Sequence, residues 1–394
     1  MQRRHLLQSL AGAGLSLSGG QLWAAGAAQP CFLVVFLRGG YDAANLLVPV
    51  SSSFYYESRP TIAVARPGKE ANTALPLTAD WGLHPALRDS VYPLVQQGQA
   101  VFVPFAGTHD TTRSHFETQD GIELGQSLEG SRNYRSGFLN RLAVTLNGAG
   151  AMAFTDRLPL AMQGDMQIAN TALRAVAKPA VDARQSSIIS AMYQGTQLSG
   201  SVSQGFTVRD EVAREMAAEM DAASRNAMSA KGFELEARRI AKLMKGRYNL
   251  GFVDVGGWDT HVAQGGATGQ LANRFEELGR GLAAYAQEMG NRWRETTVVV
   301  VSEFGRTFRQ NGNNGTDHGH GSVYWVLGGG LRGGQVAGEQ VAVTAATLFQ
   351  NRDYPVLNEY RALLGGLLAR QFGLSPTQLA SVFPGAESRD LGLL

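Results

Sequence analysis

Phe32-Leu-Val-Val-Phe-Leu37 is a run of six apolar side chains that gives way at once to Arg38-Gly39-Gly40-Tyr41-Asp42. A run without alternation has no face to turn to water, so it predicts a strand buried on both sides and closed by a tight turn. Asp42 then stands at the strand's C-terminal end. Ala100-Val-Phe-Val-Pro-Phe105 repeats the pattern after a stretch with helical spacing from about Pro85 to Gln97. Leu250–Val255 and Thr296–Ser302 repeat it again, separated by an amphipathic stretch from Leu271 to Met289. Tyr324–Gly330 reads as a later strand ending in glycines, and Tyr360–Phe372 as a closing helix stopped by Gly373.

Strands alternating with helices predict an α/β fold, doubly wound, whose mainly parallel sheet is covered by helices on both faces. Residues from about Val181 to Lys245 lack a strong strand run and are rich in Ala, Met, Glu and Arg, which predicts a helical insertion at about 181–245. No repeat or low-complexity linker divides the chain, so residues 29–394 read as one domain.

The composition suits a packed core, with 44% hydrophobic and 17% charged residues in 394. A net charge of +2 provides no electrostatic footprint for nucleic acid. The lone Cys31 has no partner for an internal disulfide and reads as a small core residue opening the first strand.

Residues 1–28 carry Arg3-Arg4, an apolar stretch rich in Leu, Ala and Gly to Leu22, and small residues from Ala24 to Ala28. This is the pattern of a signal peptide, cut after Ala25 or Ala28. The order Gln2-Arg3-Arg4-His5-Leu6-Leu7 resembles a twin-arginine signal, which implies the twin-arginine translocase as a partner during export and no stable membrane span after processing.

In an open α/β sheet, ligands bind beyond the carboxyl ends of the strands. The distinctive polar clusters follow predicted strands: Gly39–Asn45, Gly256-Gly257-Trp258-Asp259-Thr260-His261, Ser302-Glu303-Phe304-Gly305-Arg306-Thr307, and Gly315-Thr316-Asp317-His318-Gly319-His320-Gly321. Core histidines seldom gather beside aspartates in glycine-rich turns. Asp42, Asp259, His261, Glu303, Asp317, His318 and His320 therefore form a candidate set of metal ligands. Imidazole and carboxylate together suit zinc, manganese or iron, with zinc favoured; an all-oxygen set would favour calcium or magnesium. The structural alternative makes Asp317 a turn residue and pairs Glu303 with Arg306.

Ser114 through Glu117 fits a capping box, so Ser114 is expected to open a helix, where backbone N–H groups favour an anionic substrate. Ser114 is the candidate nucleophile, with Thr111 and Thr112 as rivals. Arg113 and Arg306 are candidate binders of an anionic group through paired donors, and His109, His115 and Arg113 are further candidate ligands or anion binders.

In this order, the Gly-Gly-Tyr-Asp, Arg-Ser-His-Phe, Gly-Gly-Trp-Asp-Thr-His, Ser-Glu-Phe-Gly-Arg-Thr and Gly-Thr-Asp-His-Gly-His-Gly motifs resemble the bacterial family called domain of unknown function 1501. That family is similar to the alkaline-phosphatase-like superfamily of phosphatases and sulfatases. The resemblance implies a two-metal centre with Asp42 as first ligand, Ser114 or a nearby Thr as nucleophile, Asp259 with His261 as the middle pair, and His318 or His320 as the late histidine. Glu303 stands where the superfamily usually has Asp-His, a departure that bears on the second metal. The expected function is exported, metal-dependent hydrolysis of a small anionic phosphate or sulfate ester, using one or two divalent ions. The alternative is a non-catalytic metal-binding or assembly protein of the bacterial envelope. An oxidoreductase is disfavoured, because neither a dinucleotide fingerprint nor a cysteine cluster is present.

Overall fold

The computed structural model describes residues 29–173, 183–207, 232–332 and 335–394. The expected signal segment lies outside them. Among the described residues the main sheet has eight strands: β1 (Cys31–Leu37), β2 (Ala100–Gly107), β3 (Ala151–Ala153), β4 (Ala169–Asn170), β5 (Leu250–Val255), β6 (Thr296–Ser302), β7 (Ser322–Leu327) and β8 (Asn358–Glu359). Their spatial order is β8-β2-β7-β6-β1-β5-β3-β4. Every pairing is parallel except the two that β7 makes, with β2 and β6.

The fold is the expected α/β arrangement, and the apolar runs explain its two layers. Side chains alternate across a strand. Leu33, Val35 and Leu37 of β1 join one core cluster, and Phe32, Val34 and Phe36 join the other. The helices that concern the site are α1 (His115–Leu124), α2 (Phe138–Leu146), α3 (Phe233–Gly246), α4 (Gln270–Met289), α5 (Tyr360–Phe372) and α6 (Pro376–Val382). α3 and α4 cover the first face, while α1, α2, α5 and α6 contribute to the second. α4 buries Leu271, Phe275, Leu278, Leu282, Tyr285 and Met289, a spacing that keeps one stripe on the sheet.

Three local expectations are adjusted. The helical stretch from Pro85 to Gln97 is two pieces, a single 3-10 turn at Pro85–Leu87 and a helix at Val91–Gln96. Pro93 has no N–H and fits only the first turn of a helix, so the helix begins just ahead of it. Much of the stretch expected as a helical insertion, about 181–245, lies outside the described residues; its last part, α3, is a core helix packed along α4, with Phe233, Ala237, Ile240 and Met244 buried. The capping box expected at Ser114 does not close: Ser114 occupies the N-cap of α1 in an extended conformation, and its hydroxyl makes no capping bond. Gly373 ends α5 in the left-handed conformation, as its position suggests.

The sheet register positions the site. Leu37 pairs with Val255 on one side and Ser302 on the other, so β1, β5 and β6 end level with one another. Their following loops carry Asp42, Asp259, His261 and Glu303 to one edge. β7 runs the opposite way, and the segment before it, with Asp317, His318 and His320, reaches the same edge from its N-terminal side.

A candidate metal centre at the strand ends

Three imidazoles and a carboxylate converge at this edge. His115 Nε2 lies 2.9 Å from His318 Nε2. His261 Nε2 lies 3.1 Å from His318 Nε2 and 2.9 Å from Asp259 Oδ1. Asp259 approaches His318 Nε2 to 3.3 Å and His115 Nε2 to 3.6 Å. His115, Asp259 and His318 form a compact trio of donor atoms, and His261 flanks two of its three members. Four donors about 2.0–2.1 Å from a tetrahedral zinc would stand about 3.3–3.4 Å apart, close to these separations. The residues present fit a divalent ion.

The opposite nitrogen of each ring explains why the inner ones face each other. His115 Nδ1 donates to Glu303 Oε1 at 2.8 Å, His261 Nδ1 to Asp317 Oδ1 at 3.1 Å, and His318 Nδ1 to the Arg113 carbonyl at 3.1 Å. All three partners act as acceptors, so each neutral ring keeps its proton on Nδ1 and turns a lone pair inward from Nε2. Lone pairs and a carboxylate held at such distances repel one another unless a metal ion or a proton lies between them. Outer carboxylates and carbonyls holding ligand histidines in this way are a recurring part of metal sites.

Glu303 is wholly buried and fully engaged. Its Oε1 also accepts from Gln119 Nε2 and the Gly39 N–H, each at 2.8 Å, and its Oε2 accepts from Ser302 Oγ at 2.9 Å. Burial alone would raise its carboxyl, but the bonds from His115 and Gln119 hold it below the usual range. The bond to Glu303 in turn raises His115. Gln119 sits one turn after His115 on α1, which is why both reach one oxygen.

The approach of the loops depends on Gly39, at φ 123°, where a Cβ would lie 2.6 Å from the Asp259 amide nitrogen. Arg113 has a φ of 55°, uncommon for a residue with a side chain, and this turn presents its carbonyl to His318. Asp259 is 42% exposed, so the cluster opens to solvent on that side. Burial would raise the Asp259 carboxyl, but the bond from Arg306 Nη1 at 2.5 Å holds it low.

Several expected site residues take other positions. Glu303 and Asp317 stand one step behind the inner donors, because each accepts from a histidine Nδ1. His320 is nearly buried, packed on the Phe349 ring at 4.8 Å, and lies outside the cluster; desolvation and the nearby Arg113 push it down to about 4. Asp42 is buried against Arg59, with both oxygens taken. Arg306 spends its guanidinium on Asp259, Thr316 and the Gly39 carbonyl, so it is not a free fork for an anion. Arg113 pairs with Asp353 at 2.8 Å and with Gln350. Thr112 accepts weakly from the Ser114 N–H, at 3.4 Å. Tyr41 and Trp258 are packed in the core, in an edge contact at 5.9 Å.

Residues 30–383 match the family described as protein of unknown function (DUF1501). The chain belongs to this family. No curated protein sequence matches the DUF1501 chain. Among solved structures, it is similar to Ps i-CgsB in complex with k-i-k-neocarrahexaose, at 8% identity and TM-score 0.37, covering 93% of this chain and 76% of that one. It is also similar to a protein in the alkaline phosphatase superfamily from Vibrio parahaemolyticus, at 11% identity and TM-score 0.35, covering 76% of this chain and 60% of that one. Within the DUF1501 chain, no helix among the described residues is long and apolar enough to cross a membrane.

Proposed function

We propose that this chain is an exported, metal-dependent hydrolase of phosphate or sulfate esters, carried to the bacterial envelope by the twin-arginine translocase. The observation behind this reading is the convergence of His115, His261, His318 and Asp259, whose outer partners turn their lone pairs to one point. A divalent ion bound there supplies Lewis acidity toward an ester oxygen. The donor set favours zinc, then manganese or iron, over calcium or magnesium.

The chain's own residues divide the remaining work. Ser114 is the proposed nucleophile: it immediately precedes the inner donor His115, and its hydroxyl is not spent on capping α1. The unpaired N–H groups at the start of α1 favour the negative charge of a small anionic ester. Thr112, two residues earlier, and Thr111 are the rival hydroxyls. Arg306 holds Asp259 in place, and Arg113 holds His318 through its carbonyl.

A second reading, a non-catalytic metal-binding or assembly protein of the envelope, draws on one feature of the same site. If His261 joins the trio as a fourth donor, the coordination is closed in the manner of structural ions, with no position left for substrate. Metal content and hydrolysis of aryl phosphate and aryl sulfate esters, measured on the exported protein beside Asp259→Ala and Ser114→Ala, separate the readings. Metal with hydrolysis lost in both variants supports the hydrolase. Metal without hydrolysis supports the binding protein, and wild-type protein that takes up no metal ends both.

A further inference from the structure

Asp42 closes the central strand, where the family resemblance implies the first ligand of a two-metal centre. The structure commits it to Arg59 instead. Asp42 Oδ2 accepts from Arg59 Nη1 at 2.5 Å, and Oδ1 accepts from Arg59 Nη2 at 3.0 Å. Gln264 Nε2 donates to Oδ2 as well. Asp42 is 1% exposed and Arg59 wholly buried.

The guanidinium is as fully used as the carboxylate. Its Nε donates to the Phe308 carbonyl at 2.6 Å, Nη1 also to Asn45 Oδ1 at 3.0 Å, and Nη2 also to the Thr307 carbonyl at 3.1 Å. Two contacts to Asp42 and these three occupy all five N–H donors of an arginine. The rings of Tyr55 and Phe308 flank it at 5.6 and 5.5 Å. Arginine does not surrender its proton in proteins, so an ion arriving at Asp42 would meet a permanent positive charge in its way. Expelling that charge would strand a buried cation without its partner.

The charge balance along the edge agrees. Asp42 is neutralised by Arg59, and Asp259 is shared with Arg306. Glu303 is spent on His115, Gln119 and the Gly39 amide. Glu303 and Asp317 keep their charge, but each faces a histidine Nδ1 from behind the inner donors, not the place at Asp42.

We infer that the centre takes a single divalent ion, on the donors of His115, Asp259 and His318 with His261 beside them, and that Arg59 permanently holds the place at Asp42 that a second ion would need. The inference rests on the metal reading above, and it makes the Asp42–Arg59 pair a buried ion pair of the fold, outside the donor set.

Titrating the metal-free full chain with Co2+ and following the ligand-field absorption, with bound metal counted by mass spectrometry, tests it. The expected result is saturation at one equivalent per chain, the same stoichiometry in the Asp42→Asn/Arg59→Met double variant, and loss of the band in His318→Ala. Saturation of the wild type at two equivalents overturns the single-ion inference while leaving the metal reading standing. Absence of any uptake by the wild type overturns the metal reading and, with it, this one. The wild-type count decides between one ion and two even if the double variant does not fold.

Discussion

Glu303 Oε1 and His115 Nδ1 stand 2.8 Å apart, joining the loop after β6 to the first residue of α1 across 188 positions of sequence. The bond fixes the ring orientation and leaves Nε2 free to face His318. Glu303→Gln keeps the size of the side chain but removes its charge and puts an N–H donor near a ring nitrogen that must donate. Metal affinity should fall by about 10–100-fold, as for other outer-layer partners of ligand histidines. Competition against a chromogenic zinc chelator measures it, and an unchanged affinity would remove Glu303 from the metal site.

Asp259 is the inner carboxylate, shared between the histidines and Arg306. Asp259→Asn should lose bound metal and lower ester hydrolysis by about 100-fold or more, the scale expected when several kcal/mol of charge stabilisation disappear. Elemental analysis and a rate assay on the same preparation check both effects. Retention of the metal at wild-type occupancy would contradict the donor set.

The division of labour at this edge was only partly legible in the sequence. Buried strands announce themselves through unbroken apolar runs, and the register that levels Leu37 with Val255 and Ser302 follows from those runs pairing side by side. The glycine-rich turns with Asp259, His261 and His318 are likewise visible, because so few residue types fit both a tight turn and a metal. Which acid touches an ion and which stands behind it is a matter of one or two ångströms, and no spacing rule separates Asp259 from Glu303 or Asp317. His115 was within reach as a further candidate, but its membership depends on the start of α1 meeting the loop after β6. Arg59 carries no signal at all. It lies in Glu57-Ser58-Arg59-Pro60, which reads as surface, and becomes buried only because the chain folds back onto Asp42 and the Phe308 carbonyl.

Ser114 offers a test that separates catalysis from folding. An N-cap serine replaced by alanine ordinarily costs about 1 kcal/mol through the lost capping bond. Here that bond is absent, so Ser114→Ala should change stability by no more than about 0.5 kcal/mol, as at an ordinary surface position. Hydrolysis should nevertheless fall to the background rate with metal content unchanged. Urea unfolding, metal analysis and the rate assay together distinguish this from Thr112→Ala, which should keep its activity. The reverse pattern would transfer the nucleophile to Thr112.

His84 predicts how stability responds to acid, independently of the metal centre. Its ring is wholly buried, with Nε2 donating to the Gly266 carbonyl at 3.0 Å and Nδ1 accepting from the Ala86 N–H at 3.1 Å. Both nitrogens are satisfied only in the neutral ring. A second proton would point an N–H at an N–H, and burial pushes the group down to about 4 from its ordinary 6.5. The unfolded chain therefore binds a proton that the folded chain refuses between those values, so the contribution is whole above pH 6.5 and drains away as pH falls toward 4. The span corresponds to as much as about 3 kcal/mol. Urea midpoints at pH 7 and pH 4.5 should show the loss, and His84→Gln, which keeps a donor and an acceptor but does not titrate, should flatten it. Equal pH slopes in wild type and variant would mean that His84 is protonated in the folded protein and that its two hydrogen bonds are not those described.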